Sequence, residues 1–236
     1  MSERPLSGGR PGAGSRILAI DTSGTNALVA LGEADGALVC ERRWTAGYRH
    51  GEELLTRVDE MLATAATPKE SLGGIVVGTG PGAFTGLRVG LATAKALAVG
   101  LGIPLAGVPT SEALLTAASR AGAVHRPLAV LMLPAGPSDR VVVAEGRAVL
   151  VRGGEEPEVP EGAAVVAVDL PGRAPDDAID RGSLAEQGLP AALLSLGAAR
   201  LAGGGDDIAR LVPEYVTLPR GVPALSGEVR WSREHR

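Results

Sequence analysis

The run Gly78-Thr-Gly-Pro-Gly-Ala-Phe-Thr-Gly-Leu-Arg-Val-Gly90 constrains this chain more than any other stretch of it. It begins within a short continuous apolar segment, Gly74 to Thr79, of the kind that forms a strand buried on both faces. It leads into a stretch from about Thr85 to Val99 that reads as a helix. Strand, glycine turn, helix is the predicted order, with the strand parallel to its neighbour. Gly80, Gly82 and Gly86 have GxGxxxG spacing, which is not the dinucleotide fingerprint, and no Lys-Ser/Thr pair follows, so this is not a P-loop. What remains is a turn whose glycines permit positive φ, followed by a helix whose first amides could face an anion. A plain strand-to-helix turn accounts for the glycines equally simply.

Within that helix Gly86, Gly90, Ala94 and Ala98 stand four residues apart, so one face is nearly bare backbone. Two interior glycines cost about 1 kcal/mol each relative to alanine, and close packing is expected to offset the loss. The occupant is either this chain's own sheet and first helix or a helix of another subunit, and spacing leaves the two open. Arg88 would project near the same edge and reach an acidic partner.

The preceding residues predict an antiparallel meander: Arg16 to Asp21, Asn26 to Gly32 and Ala37 to Trp44, joined by tight turns. His50 to Ala65 follows as an amphipathic helix, with Leu54, Leu55, Val58, Met61, Leu62 and Ala65 recurring at helical spacing. Leu105 to Val108 enters a second lobe. There Ser111 to Ser119 reads as a helix capped by Thr110 or Ser111, followed by strands at 127–133, 139–144, 148–152 and 163–168 and a helix from Pro190 to Ala202. Glu155, Glu156, Glu158 and Glu161 mark a solvated loop. The expected division is a leader over 1–15 and lobes over 16–107 and 108–218, then a frayed tail over 219–236.

The turn Asp21-Thr22-Ser23-Gly24 closes the first strand, where a hairpin can present an acid and hydroxyls to a phosphate; an Asx or ST turn explains it as well. Asp21, Thr22, Ser23, Gly80 and Gly82 are therefore the candidate anion-binding residues. Composition narrows the chemistry. Two Trp, two Tyr and one Phe leave almost no base-stacking surface, and a net charge of −4 offers no surplus for a phosphate backbone, so direct tight binding of nucleic acid is not expected. One cysteine, Cys40, permits no internal disulfide. His50, His125 and His235 form no HxxxH or HExxH pair, so no metal site is expected, and no GxSxG elbow appears. No secretory signal or membrane span is read, and a cytoplasmic setting is expected.

Taken together, Ile17-Leu-Ala-Ile-Asp-Thr-Ser23, Val29-Ala-Leu31, the helix opening at His50, the block from Gly78 to Ala98 and Gly107-Val-Pro-Thr-Ser-Glu-Ala-Leu-Leu115 resemble the bacterial TsaB family, with a fainter echo at Pro213-Glu-Tyr-Val216. The resemblance implies an α/β actin-like fold of the sugar kinase, Hsp70 and actin type, with two βββαβα lobes. It implies a non-catalytic subunit that supports TsaD, together with TsaE, in forming N6-threonylcarbamoyladenosine at position 37 of tRNA. Contact with tRNA would be indirect. Docking would draw on His50, Leu54, Arg57 and Met61 of the first helix and Gly86, Arg88, Gly90 and Ala94 of the second. Alone, the chain could pair with a second copy, and ATP with Mg²⁺ could lie at a subunit junction rather than in this chain. The second lobe departs from the family: Met132 to Val143 lacks the usual acid and tyrosine and carries two prolines. The competing reading is an autonomous ATPase or phosphotransferase of the same fold, with Asp21 placing Mg²⁺. A metallopeptidase conflicts with the histidine spacing.

Overall fold

The structure, a computed structural model, describes residues 15–45 and 50–216. The expected leader, apart from Ser15, and the expected tail lie outside the described residues.

β1 (Arg16–Asp21), β2 (Asn26–Glu33) and β3 (Leu38–Thr45) form the predicted meander, and α1 (His50–Thr64) follows it. β4 (Leu72–Gly78) then pairs parallel with β1, and β5 (Leu105–Val108) pairs parallel with β4 on its far side, giving the order β3-β2-β1-β4-β5. α2 (Phe84–Leu101) joins β4 to β5 and ends at Gly102, whose left-handed backbone (φ +66°) accepts the chain reversal. Ile20, Leu31 and Ile75 meet α1 and α2 on one face of this sheet; Ile17, Ala19 and Val76 meet the later helices on the other.

The second sheet has the order β8-β7-β6-β9, from β6 (Ala129–Pro134), β7 (Arg140–Ala144), β8 (Arg147–Val151) and β9 (Ala164–Ala167). α3 (Thr110–Arg120) precedes it and α4 (Asp176–Ala202) follows. β6 and β9 are parallel, and the link from β8 to β9 is the exposed glutamate loop, where a full βββαβα lobe would carry a helix. The lobe is thus a trimmed repeat of the first.

Two expectations need correction. α3 is not capped by Thr110 or Ser111: its N-cap is Pro109, and the Thr110 hydroxyl is engaged elsewhere. α4 begins at Asp176, so Pro190 lies inside it instead of opening it. Its first half packs on β9 and α3, its second half on the first sheet, so the chain crosses back to the first lobe near Pro190.

Candidate functional site

The predicted anion residues do converge, and they converge on one another. Asp21 is 2% exposed at the end of β1. Its Oδ1 accepts the Ser23 amide (2.9 Å) and the Ser23 hydroxyl (2.7 Å), and its Oδ2 accepts the Thr110 hydroxyl (2.6 Å) from the start of α3. The Gly80 amide in turn donates to Thr110 Oγ1 (3.2 Å), and the Ser111 amide to the Gly80 carbonyl (3.3 Å). Gly78 passes directly over this carboxylate; a Cβ there would overlap Asp21 Oδ2. Burial pushes the Asp21 carboxyl above its ordinary range, and the hydrogen bonds from Thr110 and Ser23 only partly oppose it.

The glycine turn is stitched to the same hairpin. Gly80 takes φ +100° before a cis Gly80-Pro81 bond. The Ala83 amide donates to the Ser23 carbonyl (2.7 Å), and Gly82 lies so close to Ser23 that a Cβ would overlap that carbonyl. Thr22 donates its hydroxyl to the Gly86 carbonyl in α2 (2.6 Å). A Cβ on Gly90 would overlap the same Thr22 Oγ1.

This arrangement corrects the phosphate reading. A phosphate or a Mg²⁺ ion held here would need free donors or a free carboxylate edge. Both carboxylate oxygens are already partnered, the hydroxyls of Thr22 and Ser23 are spent on protein acceptors, and the space at Gly82 is filled. The residues do not fit the group. Their chemistry is that of a buried hydrogen-bonded knot joining β1, the glycine turn, α2 and α3.

The docking strip needs the same correction. Gly86, Gly90, Ala94 and Ala98 are all buried within their own lobe, and so are Leu54 and Met61 of α1. The occupant of the bare helix face is this chain's own β1–β2 turn and sheet. The side chain of His50 lies outside the described residues. Arg57 and Arg88 do reach the surface: Arg57 pairs with Glu60 (3.1 Å), and Arg88 lies over the Phe84 ring, 4.5 Å from its centroid. The solvent side of these helices carries Leu55 and Val99, each about half exposed, with Ala92 and Ala96 between Arg88 and Val99. α2 is long and apolar enough to cross a membrane by length and composition alone, but a third of it is buried as a core helix of this sheet.

Reading the sequence missed three further groups at the lobe junction. Asp169, in a left-handed conformation (φ +55°), accepts the Thr25 amide (3.0 Å). Burial, with Asp169 nearby, raises the Glu186 carboxyl. Glu214, raised by burial too, donates its amide to the Thr79 carbonyl (2.8 Å), while Tyr215 meets Phe84 at 5.0 Å between ring centroids. Only the Pro213–Val216 segment carried a signal in the sequence. Among the described residues, no three His, Cys, Asp or Glu side chains gather as a metal site.

The family model described as TsaD, tRNA N6-adenosine threonylcarbamoyltransferase, matches residues 45–192. The tRNA threonylcarbamoyladenosine biosynthesis protein TsaB of Escherichia coli K12 is 35% identical over 121 residues, 49% of this chain and 49% of that protein. The protein of the same description from Bacillus subtilis 168 is 36% identical over 98 residues, 42% of each. The chain spans about half the length of the curated relatives it matches. Among solved structures, YeaZ from Pseudomonas aeruginosa superposes with a TM-score of 0.64 at 24% identity, covering 85% of this chain and 99% of that one. That likeness and the strand orders establish the actin-like α/β fold.

Proposed function

Because the chain belongs to the TsaD family, and within it to the TsaB type, we propose that it is a non-catalytic subunit that supports a TsaD-type transferase in forming N6-threonylcarbamoyladenosine in tRNA. The observation that carries the non-catalytic part is the closed knot at Asp21. A phosphate held at the first hairpin would need free donors there, and here Ser23, Thr110 and Gly82 occupy that hairpin from within. No observation favours the autonomous ATPase.

The surface offered to the partner is the solvent side of α1 and α2: Leu55, Arg57, Arg88, Ala92 and Val99. Apolar residues flanked by arginines match the composition of interface cores. In the absence of TsaD the same surface pairs two copies of the chain. TsaE joins the assembly rather than this chain alone, and any Mg-ATP the assembly uses sits at a subunit junction. Contact with tRNA runs through the partner, in the cytoplasm.

The test is reconstitution. Mixed with a TsaD-type transferase, the full chain is expected to co-elute as a complex of defined mass and to raise tRNA modification, while titration calorimetry of the chain alone with Mg-ATP gives no heat. Failure to form the complex would remove the subunit reading. Tight Mg-ATP binding with turnover by the isolated chain would establish the competing one.

A further inference from the structure

α4 is docked on both lobes, and one glycine serves each contact. A Cβ on Gly182 would overlap the Ala167 carbonyl of β9, and a Cβ on Gly197 would overlap the Val76 side chain of β4. The helix therefore touches the second sheet through its first half and the first sheet through its second half, with almost no slack at either place. Pro190 lies between these two contacts, buried inside the helix.

Proline has no amide hydrogen, so the carbonyl four residues earlier, that of Glu186, loses its helical donor. That carbonyl is nevertheless satisfied. Arg43, on the edge strand β3 of the first lobe, donates Nη1 to the Glu186 carbonyl (2.6 Å) and Nη2 to the Gln187 carbonyl (2.9 Å). Its Nε is held by Glu41 Oε1 at 2.7 Å, which aims the guanidinium at the helix. The planar fork thus spans two successive carbonyls at the one point where the helix is weakest, and it reaches them from the other lobe.

We propose that Pro190 and Arg43 form a latched hinge: Pro190 supplies a bending point between the lobes, and Arg43 holds the helix there by supplying the one hydrogen bond that the proline leaves open and adding a second to the next carbonyl. Releasing Arg43 frees the second lobe to swing against the first. The inference rests on the lobes and α4 alone and does not depend on the proposed function.

The design of the test follows from the missing amide. On a Cys40→Ser background, spin labels at Thr56→Cys in α1 and Arg147→Cys in β8, both exposed, report the distance between the lobes. Arg43→Met is expected to broaden that distance distribution and to speed amide exchange around Gln187 to Leu194 roughly tenfold or more, since hydrogen bonds from a charged donor are lost. Pro190→Ala restores the helical donor to the Glu186 carbonyl, so Arg43→Met on that second background is expected to leave both readouts close to those of the parent. An equal effect of Arg43→Met on the two backgrounds would show a general packing loss and overturn the hinge. No effect in the Pro190 protein would overturn it as well.

Discussion

Gly90→Ala separates an interior role for the small-residue strip from a docking role. On an open helix surface this substitution stabilises by about 1 kcal/mol, because alanine loses less backbone entropy than glycine. Here the added methyl falls on Thr22 Oγ1, which is buried and donating to the Gly86 carbonyl. Turning the hydroxyl away breaks that bond, at about 1–3 kcal/mol, and squeezing it into a filled neighbourhood adds about 1–3 kcal/mol. The net expectation is a loss of about 1–5 kcal/mol in the urea unfolding free energy, followed by far-UV circular dichroism. The second arm is the same change on a Thr22→Ala background. With the hydroxyl gone, the nearest remaining Thr22 atom is Cβ at 3.4 Å, an ordinary contact, and Gly90→Ala should be neutral or stabilising by up to about 1 kcal/mol. Affinity for a TsaD-type partner, measured where the variant is still folded, should not change. A Gly90→Ala protein as stable as its parent, or one that loses the same amount on both backgrounds, would refute the interior role.

The Asp21 knot predicts a pH dependence with a definite sign. Burial raises its pKa, so the native state keeps a proton that the unfolded state releases; this group's contribution is full below the unfolded value and is lost as pH rises through the folded one. Asp21→Asn should remove that decline, so that its urea midpoint gains on the parent's as pH rises above the ordinary carboxylate range; parallel profiles would show that Asp21 is not the titrating group. Gly197→Ala, whose methyl would press into Val76, should cost about 1–3 kcal/mol in the same assay, and an unchanged midpoint would contradict the tight seating of α4. Leu55→Glu and Val99→Glu, at half-exposed positions, should leave stability within about 0.5 kcal/mol. By surface plasmon resonance they should weaken binding to a TsaD-type partner about tenfold or more, and unaltered affinity would move the interface elsewhere.

Most of the first lobe was legible in the sequence because its elements are bounded by their own local chemistry. The meander, α1 and the parallel β4 fall within two residues of the predicted ends. α4 was only half legible. A proline ahead of an alanine-rich run reads as a helix start, and nothing near Pro190 in sequence shows that Arg43, 147 positions earlier, supplies the donor that the proline takes from the helix. Thr110 failed for the same reason: a hydroxyl at a helix start reads as a cap, and its actual acceptor, Asp21, is 89 positions away. The anion residues were found as a set, and their chemistry was misjudged, because the sequence shows which groups are polar but not which of them satisfy one another.

The helix face was misjudged for a different reason, and that reason bears on the proposed interface. α2 carries two strips of small or apolar residues. Gly86, Gly90, Ala94 and Ala98 face inward, while Ala92, Ala96 and Val99 continue from Arg88 at almost the same spacing on the solvent side. A helix with apolar residues on its exposed side as well as its buried one keeps apolar surface in water, and only a third of α2 is buried. Gly90 belongs to the inner strip because it must clear Thr22, a demand set by a fixed turn of the same chain. In place of glycines the outer strip has alanines, which keep helix propensity and still allow close approach by another helix. A docking helix therefore needs no glycine, and the most conspicuous strip in this sequence was the one least able to receive a partner.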